Sequence, residues 1–230
     1  MAKSVSAKGL FRATKPKADK GAPLPMDMPE HKPEAVRDPL DFDPTPPDAT
    51  VAFLRREMHH IRKHGDIVSE PAVGAGHIAY VLRERGFKVR AGDMMQRGYR
   101  GISCIGSFYE NTAAARIHIT NPPYNEINAR DGHGRWLRHA IKGSDYIALL
   151  LNADWAAARI NGMDELFLKH PPSVEYLCCW KIDFRGGGSP PQRNSWFVWD
   201  VNRPASANEW VRRRLYRDQP DPDQAGFDGV

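Results

Sequence analysis

Cysteine is scarce in this chain: Cys104, Cys178 and Cys179 are the three present among 230 residues. They form no CxxC pair, no His/Cys cluster of zinc spacing and no even-numbered disulfide framework. The expectation is therefore reduced thiols in or beside strands, and no metal. Long apolar runs are also missing. Nothing approaches the roughly 20 apolar residues of a membrane helix, and the Lys-rich start lacks a signal-peptide core, so a cytoplasmic protein without membrane partners is expected. The excess of one charge sign is slight, with 33 Lys and Arg against 28 Asp and Glu, a formal +5. That permits an anionic partner such as nucleic acid without requiring one. What is present, 41% hydrophobic residues, suffices for one core with extensions.

Composition divides the chain into three. Residues 1–40 carry Lys3, Lys8, Arg12, Lys15, Lys17 and Lys20, then Pro23, Pro25, Pro29, Pro33 and Pro39, with few large apolar side chains. Such a segment buries too little surface to offset its ordering entropy, so a disordered basic and Pro-rich tail is expected, either solvated or touching nucleic acid. Residues 41–204 read as a folded domain. Residues 205–230 read as a short helix over 207–216 followed by a loose tail.

Within the domain, helical and strand patterns alternate. Helical spacing of Val51, Leu54, Met58 and Ile61 predicts a helix over 48–64, with Asp48 as N-cap and Gly65 as stop. His59, His60 and His64 lie on it without acidic or thiol partners and read as solvated. Strands are expected over 66–70, 87–91, 101–105, 116–120, 146–151, 174–180 and 195–200, and further helices over 76–85, 135–142 and 154–169. The order implies an α/β fold with a mainly parallel seven-stranded sheet whose last strand is antiparallel. Such sheets bind ligands beyond the carboxyl ends of their strands.

The first loop at that edge is Glu70-Pro71-Ala72-Val73-Gly74-Ala75-Gly76. Glycines allow a tight turn and close approach of a ligand, though a lone GxG also suits an ordinary turn. An acid at the strand end and a second acid, Asp93, about 20 residues on suggest a nucleoside-containing cofactor. Ala79 replaces the third glycine of a dinucleotide fingerprint, which by itself leaves NAD open.

After the fourth strand comes Thr120-Asn121-Pro122-Pro123-Tyr124. Paired prolines belong in a rigid loop at a strand end. An exocyclic amino nitrogen is a poor nucleophile because its lone pair is delocalised. The Asn121 side-chain oxygen and the Pro122 carbonyl can each accept one N–H, fixing that nitrogen's orientation, while Tyr124 stacks on the flat group.

These two motifs resemble motifs I and IV of S-adenosylmethionine-dependent amino-methyltransferases, above all the DNA adenine-N6 enzymes. Phe42-Asp43-Pro44-Thr45-Pro46-Pro47 resembles motif X, and the order X, I, IV is that of the gamma class. The likeness runs from about Asp41 to Asp200 and is strongest to compact phage and prophage enzymes. It implies a Rossmann-like class I methyltransferase fold over 41–204, S-adenosylmethionine as cofactor and adenine in DNA as target, in a bacterial or phage-infected cell. RNA adenine methyltransferases, protein glutamine methyltransferases and an inactive binding module of the same fold are the alternatives.

By the same resemblance, Glu70, Pro71, Ala72, Gly74 and Gly76 surround the methionine part of the cofactor, and Asp93 bonds its ribose. Thr45 and Pro46 serve its carboxylate end, and Asn121 sits where cofactor and target meet. The family has a carboxylate after the third strand that accepts from the cofactor's adenine amino group, followed by an aromatic. Here Ser107 stands in that place, so direct recognition is expected to be weaker or water-mediated, with Phe108 on the ring. Asn121, Pro122, Pro123 and Tyr124 are the expected catalytic loop. For the second clamp on the flipped base the candidates are Phe184 and Trp196; Phe184 is preferred, with a buried core Phe the alternative, and Arg185 either contacts phosphate or belongs to a plain loop, whereas Trp196, Phe197 and Trp199 read rather as core. The glycine-bearing loop before Arg135 reads either as a border of the substrate channel or as an ordinary connection.

Overall fold

The computed structural model describes residues 43–218 apart from 111–114, 189 and 191. The expected tail over 1–40, the Asp41 and Phe42 end of the Thr-Pro motif and the chain after 218 lie outside the described residues. The elements run α1 (Pro47–Arg62), β1 (Ile67–Glu70), α2 (His77–Glu84), β2 (Lys88–Asp93), β3 (Ile102–Ile105), β4 (Ile117–Thr120), α3 (Arg135–Ala140), β5 (Tyr146–Asn152), α4 (Met163–Lys169), β6 (Val174–Cys178), β7 (Asn194–Asp200) and β8 (Val211–Leu215). They build one eight-stranded sheet in the order β3-β2-β1-β4-β5-β7-β6-β8. Strand β7 alone runs antiparallel, inserted between β5 and β6.

The continuous apolar run of β5 follows from cover on both faces. Its odd and even residues divide by period two: Tyr146, Ala148 and Leu150 join one core with Phe53 and Leu54 of α1 and Leu82 of α2. Ile147, Leu149 and Leu151 join a second with Trp136 of α3 and Phe167 of α4. Trp196, Phe197 and Trp199 are buried in β7, as their strand pattern indicated.

Several local expectations are corrected. Helix α1 is capped at Pro46, with Pro47 as its first residue, and Asp48 instead pairs with Arg217 at 2.8 Å. The helix expected over 154–169 is two pieces, a 3-10 turn at Ala153–Ala157 and then α4, because Asn161 and Gly162 take φ of 56° and 77°. The helix expected over 207–216 is strand β8, which adds an eighth strand. Its arginines suit either state locally, but pairing beside β6 lets Arg212 reach the fully buried Glu175 at 2.9 Å, and a buried charge without a partner is costly. His64 is not solvated: its side chain is 4% exposed and its Nε2 lies 2.9 Å from Asp200 Oδ1.

A buried polar lock ties α1 to the far part of the sheet. Glu57 accepts from the Tyr146 and Tyr176 hydroxyls at 2.7 and 2.5 Å and takes both terminal nitrogens of Arg203 at 2.9 and 2.6 Å. The segment before α1 is thereby held over the carboxyl edge of the sheet.

Candidate active site

The turns after β1, β2, β3 and β4 and the segment before α1 converge on a cavity of about 460 Å3. The β1 turn is shaped by its glycines. Gly74, at φ 55°, donates its N–H to Asp93 Oδ2 at 2.8 Å, and Val73 donates to the Gly92 carbonyl at 2.9 Å, which joins the turn to the end of β2. Gly76 caps α2 at φ 88°, and a Cβ there would stand 2.2 Å from the Tyr99 ring. It serves packing behind the turn and is not among the residues lining the cavity.

Glu70 is 1% exposed and its Oε2 has no partner. Burial, and next the neighbouring Asp93 carboxylate, push its carboxyl well above the usual 4.5. Pro71 and Ala72 line the same wall. A cation entering here meets two buried carboxylates. Beside Asp93, Met94 and Met95 line the mouth with exposures of 67% and 40%, apolar surface suited to a flat ring.

At the end of β4, Asn121 donates from Nδ2 to Thr45 Oγ1 at 3.1 Å and to the Asp43 carbonyl at 3.4 Å. A carbonyl can only accept, so this pair fixes the amide's orientation. The consequence is that Asn121 Oδ1 is buried and unpartnered. Pro122 and Pro123 follow along the cavity wall, and Tyr124 opens a 3-10 turn, Tyr124–Glu126, its hydroxyl accepting from Asn194 at 3.3 Å. The loop beyond is clamped, with Trp155 donating to the Ile127 carbonyl at 2.9 Å and Asn161 to that of Ala129 at 2.8 Å. It borders a second, open groove of about 610 Å3 that shares Tyr109 and Arg135 with the first cavity.

Ser107 lines the cavity, but its hydroxyl accepts from the Tyr109 N–H at 3.2 Å and so closes its own turn. Phe108 stacks on Trp136 with ring centroids 4.4 Å apart. Beneath them lies His118, whose proton affinity is lowered to about 4 by burial and then by His139, so it is neutral at ordinary pH.

Besides Gly76, three expected site residues stand off the cavity wall. Pro46 is the α1 cap, Phe184 packs against the core shared by α1 and the sheet, and Arg185 bonds Asp43 Oδ1 at 3.0 Å, bracing the wall from behind. Conversely, Asp43, Tyr109, Glu126, Arg135 and Trp136 line the cavity without having been singled out. Their sequence signal is proximity alone: Asp43 to Thr45, Tyr109 to Phe108, and Glu126, Arg135 and Trp136 to the Asn-Pro-Pro-Tyr loop.

No protein-family model matches the sequence, and no curated protein matches it. Solved structures do match. A proposed class I S-adenosylmethionine-dependent methyltransferase from Listeria monocytogenes aligns with a TM-score of 0.55 at 11% identity, over 83% of this chain and 72% of its own. This chain has the class I methyltransferase fold. A proposed RNA methyltransferase from Pyrococcus horikoshii aligns at 0.52 with 15% identity, over 66% of this chain and 82% of its own. The M protein of the type I restriction enzyme EcoKI aligns at 0.51 with 14% identity, over 80% of this chain and 50% of its own. Among the described residues no helix is long and apolar enough to cross a membrane, and no three His, Cys, Asp or Glu side chains converge as a metal site.

Proposed function

We propose that this protein methylates the N6 amino group of adenine in DNA, using S-adenosylmethionine. The observation that carries the reading is the Asn121 amide. It is oriented by two acceptors so that its buried oxygen is left without a partner, beside a cavity where Glu70 and Asp93 favour a cation. Glu70, the Gly74 turn, Asp93 and Phe108 would hold the cofactor, which when bound supplies a methyl group on a positively charged sulfur. The unpartnered Glu70 oxygen fits its cationic end.

The chain's own part is positioning. Asn121 Oδ1 and the Pro122 carbonyl accept the two amino hydrogens of the target, which holds the nitrogen lone pair out of the base plane and toward the cavity. Tyr124 gives a stacking face for a base taken out of the helix, offsetting a few kcal/mol of lost stacking. Asp43 and Thr45 keep the Asn121 amide from flipping. Orientation of this kind is the main source of rate when the leaving group is already activated.

Adenine in DNA is supported by the Thr-Pro, Gly-turn, Asn-Pro-Pro-Tyr order, and by the fold shared with a restriction-modification M protein. The test is incubation with radiolabelled cofactor and DNA, RNA or protein, followed by nucleoside mass spectrometry. N6-methyladenine in DNA is the expected product, with Asn121→Ala slowed by about 100-fold or more. Label in RNA or protein alone, or an Asn121→Ala variant as fast as wild type, would overturn the assignment.

A further inference from the structure

We infer that Glu126 supplies the acceptor for the cofactor's adenine amino group that Ser107 cannot. The inference rests on the cofactor reading above and names a residue of that same site.

Ser107 carries no charge, and one of the two lone pairs on its hydroxyl oxygen is taken by the Tyr109 N–H, which leaves it a weak acceptor beside a carboxylate. The turn it closes delivers a carboxylate by another route. Tyr109, two residues further on, donates its hydroxyl to Glu126 Oε2 at 2.6 Å. Arg135 donates to the same oxygen, from Nε at 2.9 Å and from its terminal nitrogen. All three donors fall on Oε2, and among the described residues none falls on Oε1. The Glu126 side chain is 23% exposed and lines the cavity, so the remaining oxygen is left for a ligand.

The position is fixed on both sides. Glu126 ends the 3-10 turn that begins at Tyr124, and its N–H is held by the Pro123 carbonyl at 2.9 Å. Gly132 packs against its backbone so closely that a Cβ would stand 2.2 Å from the Glu126 carbonyl carbon. The carboxylate is held between a hydroxyl and a guanidinium on a fixed piece of backbone. An anionic acceptor with one saturated and one open oxygen selects an N–H donor over a carbonyl. In the cavity that donor is an exocyclic amine on a purine whose ring lies by Met94 and Phe108. Asn121 Oδ1 already answers the amine of the target.

The experiment is calorimetric binding of S-adenosylhomocysteine and of its inosine counterpart, in which the 6-amino group is a carbonyl, to wild type, Glu126→Gln and Tyr109→Phe. Wild type is expected to prefer the adenosine compound by at least tenfold. Glu126→Gln should lose most of that preference, because its amide presents both a donor and an acceptor, while Tyr109→Phe retains it because the carboxylate stays. Thermal unfolding of each variant checks that it is folded, and the wild-type comparison of the two ligands stands even where a variant does not fold. Equal binding of both ligands by wild type, or an undiminished preference in folded Glu126→Gln, overturns the inference while leaving the methyltransferase reading intact. Absence of binding to either ligand overturns both. A Glu126→Gln defect seen only toward nucleic acid, with the ligand preference kept, also overturns it.

Discussion

Glu70 is a carboxylate held at a cost that the cofactor is expected to relieve, and Glu70→Gln isolates that cost. The side chain is fully buried, one oxygen has no partner, and Asp93 stands nearby with a like charge. Its folded pKa is therefore raised above the ordinary 4.5 by burial first and Asp93 second. A raised pKa means that the folded state holds its proton longer than the unfolded state does. Stability from this group is complete below pH 4.5 and is lost as pH rises toward the folded value. One proton limits the slope to about 1.4 kcal/mol per pH unit, which for a chain of this size is roughly 3–5 °C in melting temperature. Glu70→Gln lacks the slope. The two proteins should melt alike near pH 4, and the variant should gain steadily above pH 5 until Glu70 ionises in the folded wild type. Cofactor binding reverses the order. A cationic ligand stabilises ionised Glu70, so wild-type affinity should rise with pH while a proton is released. Calorimetry in buffers of differing ionisation enthalpy counts that proton. A melting difference independent of pH refutes the buried-carboxylate argument, and equal cofactor affinity of the two proteins refutes Glu70 as a ligand.

Three further changes probe other parts of the design. His118 has its pKa lowered to about 4, so the stability it contributes is present above pH 6.5 and lost as pH falls toward 4, about 3 kcal/mol in all. His118→Phe should remove that acid-side loss, read as the difference between urea midpoints of the two proteins from pH 7 to 4. Glu57→Ala leaves the two terminal nitrogens of Arg203 and two tyrosine hydroxyls without their acceptor, while Arg203 Nε keeps Asp200. With Arg203 still 24% exposed, about 3 kcal/mol is expected, a urea midpoint lower by roughly 1–2 M. Thr45→Val removes one of two acceptors that orient the Asn121 amide. The turnover number should fall about 2- to 10-fold with the cofactor dissociation constant held, whereas a Thr45 that binds the cofactor carboxylate directly would move the dissociation constant instead.

Much of the sheet was legible because its signals are local. The apolar run of β5 needs only cover on both faces, and the Gly and Pro-Pro turns mark strand ends whatever their partners. Apart from the local break at Asn161 and Gly162 and the cap at Pro46, the failures come from contact between segments distant in sequence. Nothing local in residues 207–216 favours a strand; β8 forms because β6 presents an open edge and Glu175 a buried charge. Gly76 reads as a ligand glycine until Tyr99 is seen behind it. Phe184 stands before a glycine loop, yet it packs on the core that α1 shares with the sheet, a contact with no local signal. Glu126 carries no signal of its own, because its role exists only where Tyr109 and Arg135 reach the same oxygen.

The open acceptors of the site are held in place by quite different means, and the difference bears on how each would work. Asn121 is neutral, so leaving Oδ1 buried without a partner costs about 1–3 kcal/mol whatever the pH, and its amide is kept from turning inward by Asp43 and Thr45. Glu70 can take up a proton and so lessen its own penalty until a cation arrives. Glu126 is paired with a guanidinium through one oxygen and lines the cavity. A permanently oriented neutral acceptor suits an amine that must be held but not bound tightly, since the product has to leave. A carboxylate that ionises as its ligand binds suits a cation whose affinity must be high and whose neutral product must bind less well. On the proposed reading, a cofactor whose sulfur becomes neutral on transfer would be attracted less to Glu70, while a Glu126 contact to its purine would be unchanged, so spent cofactor would exchange for fresh without loosening of the purine pocket.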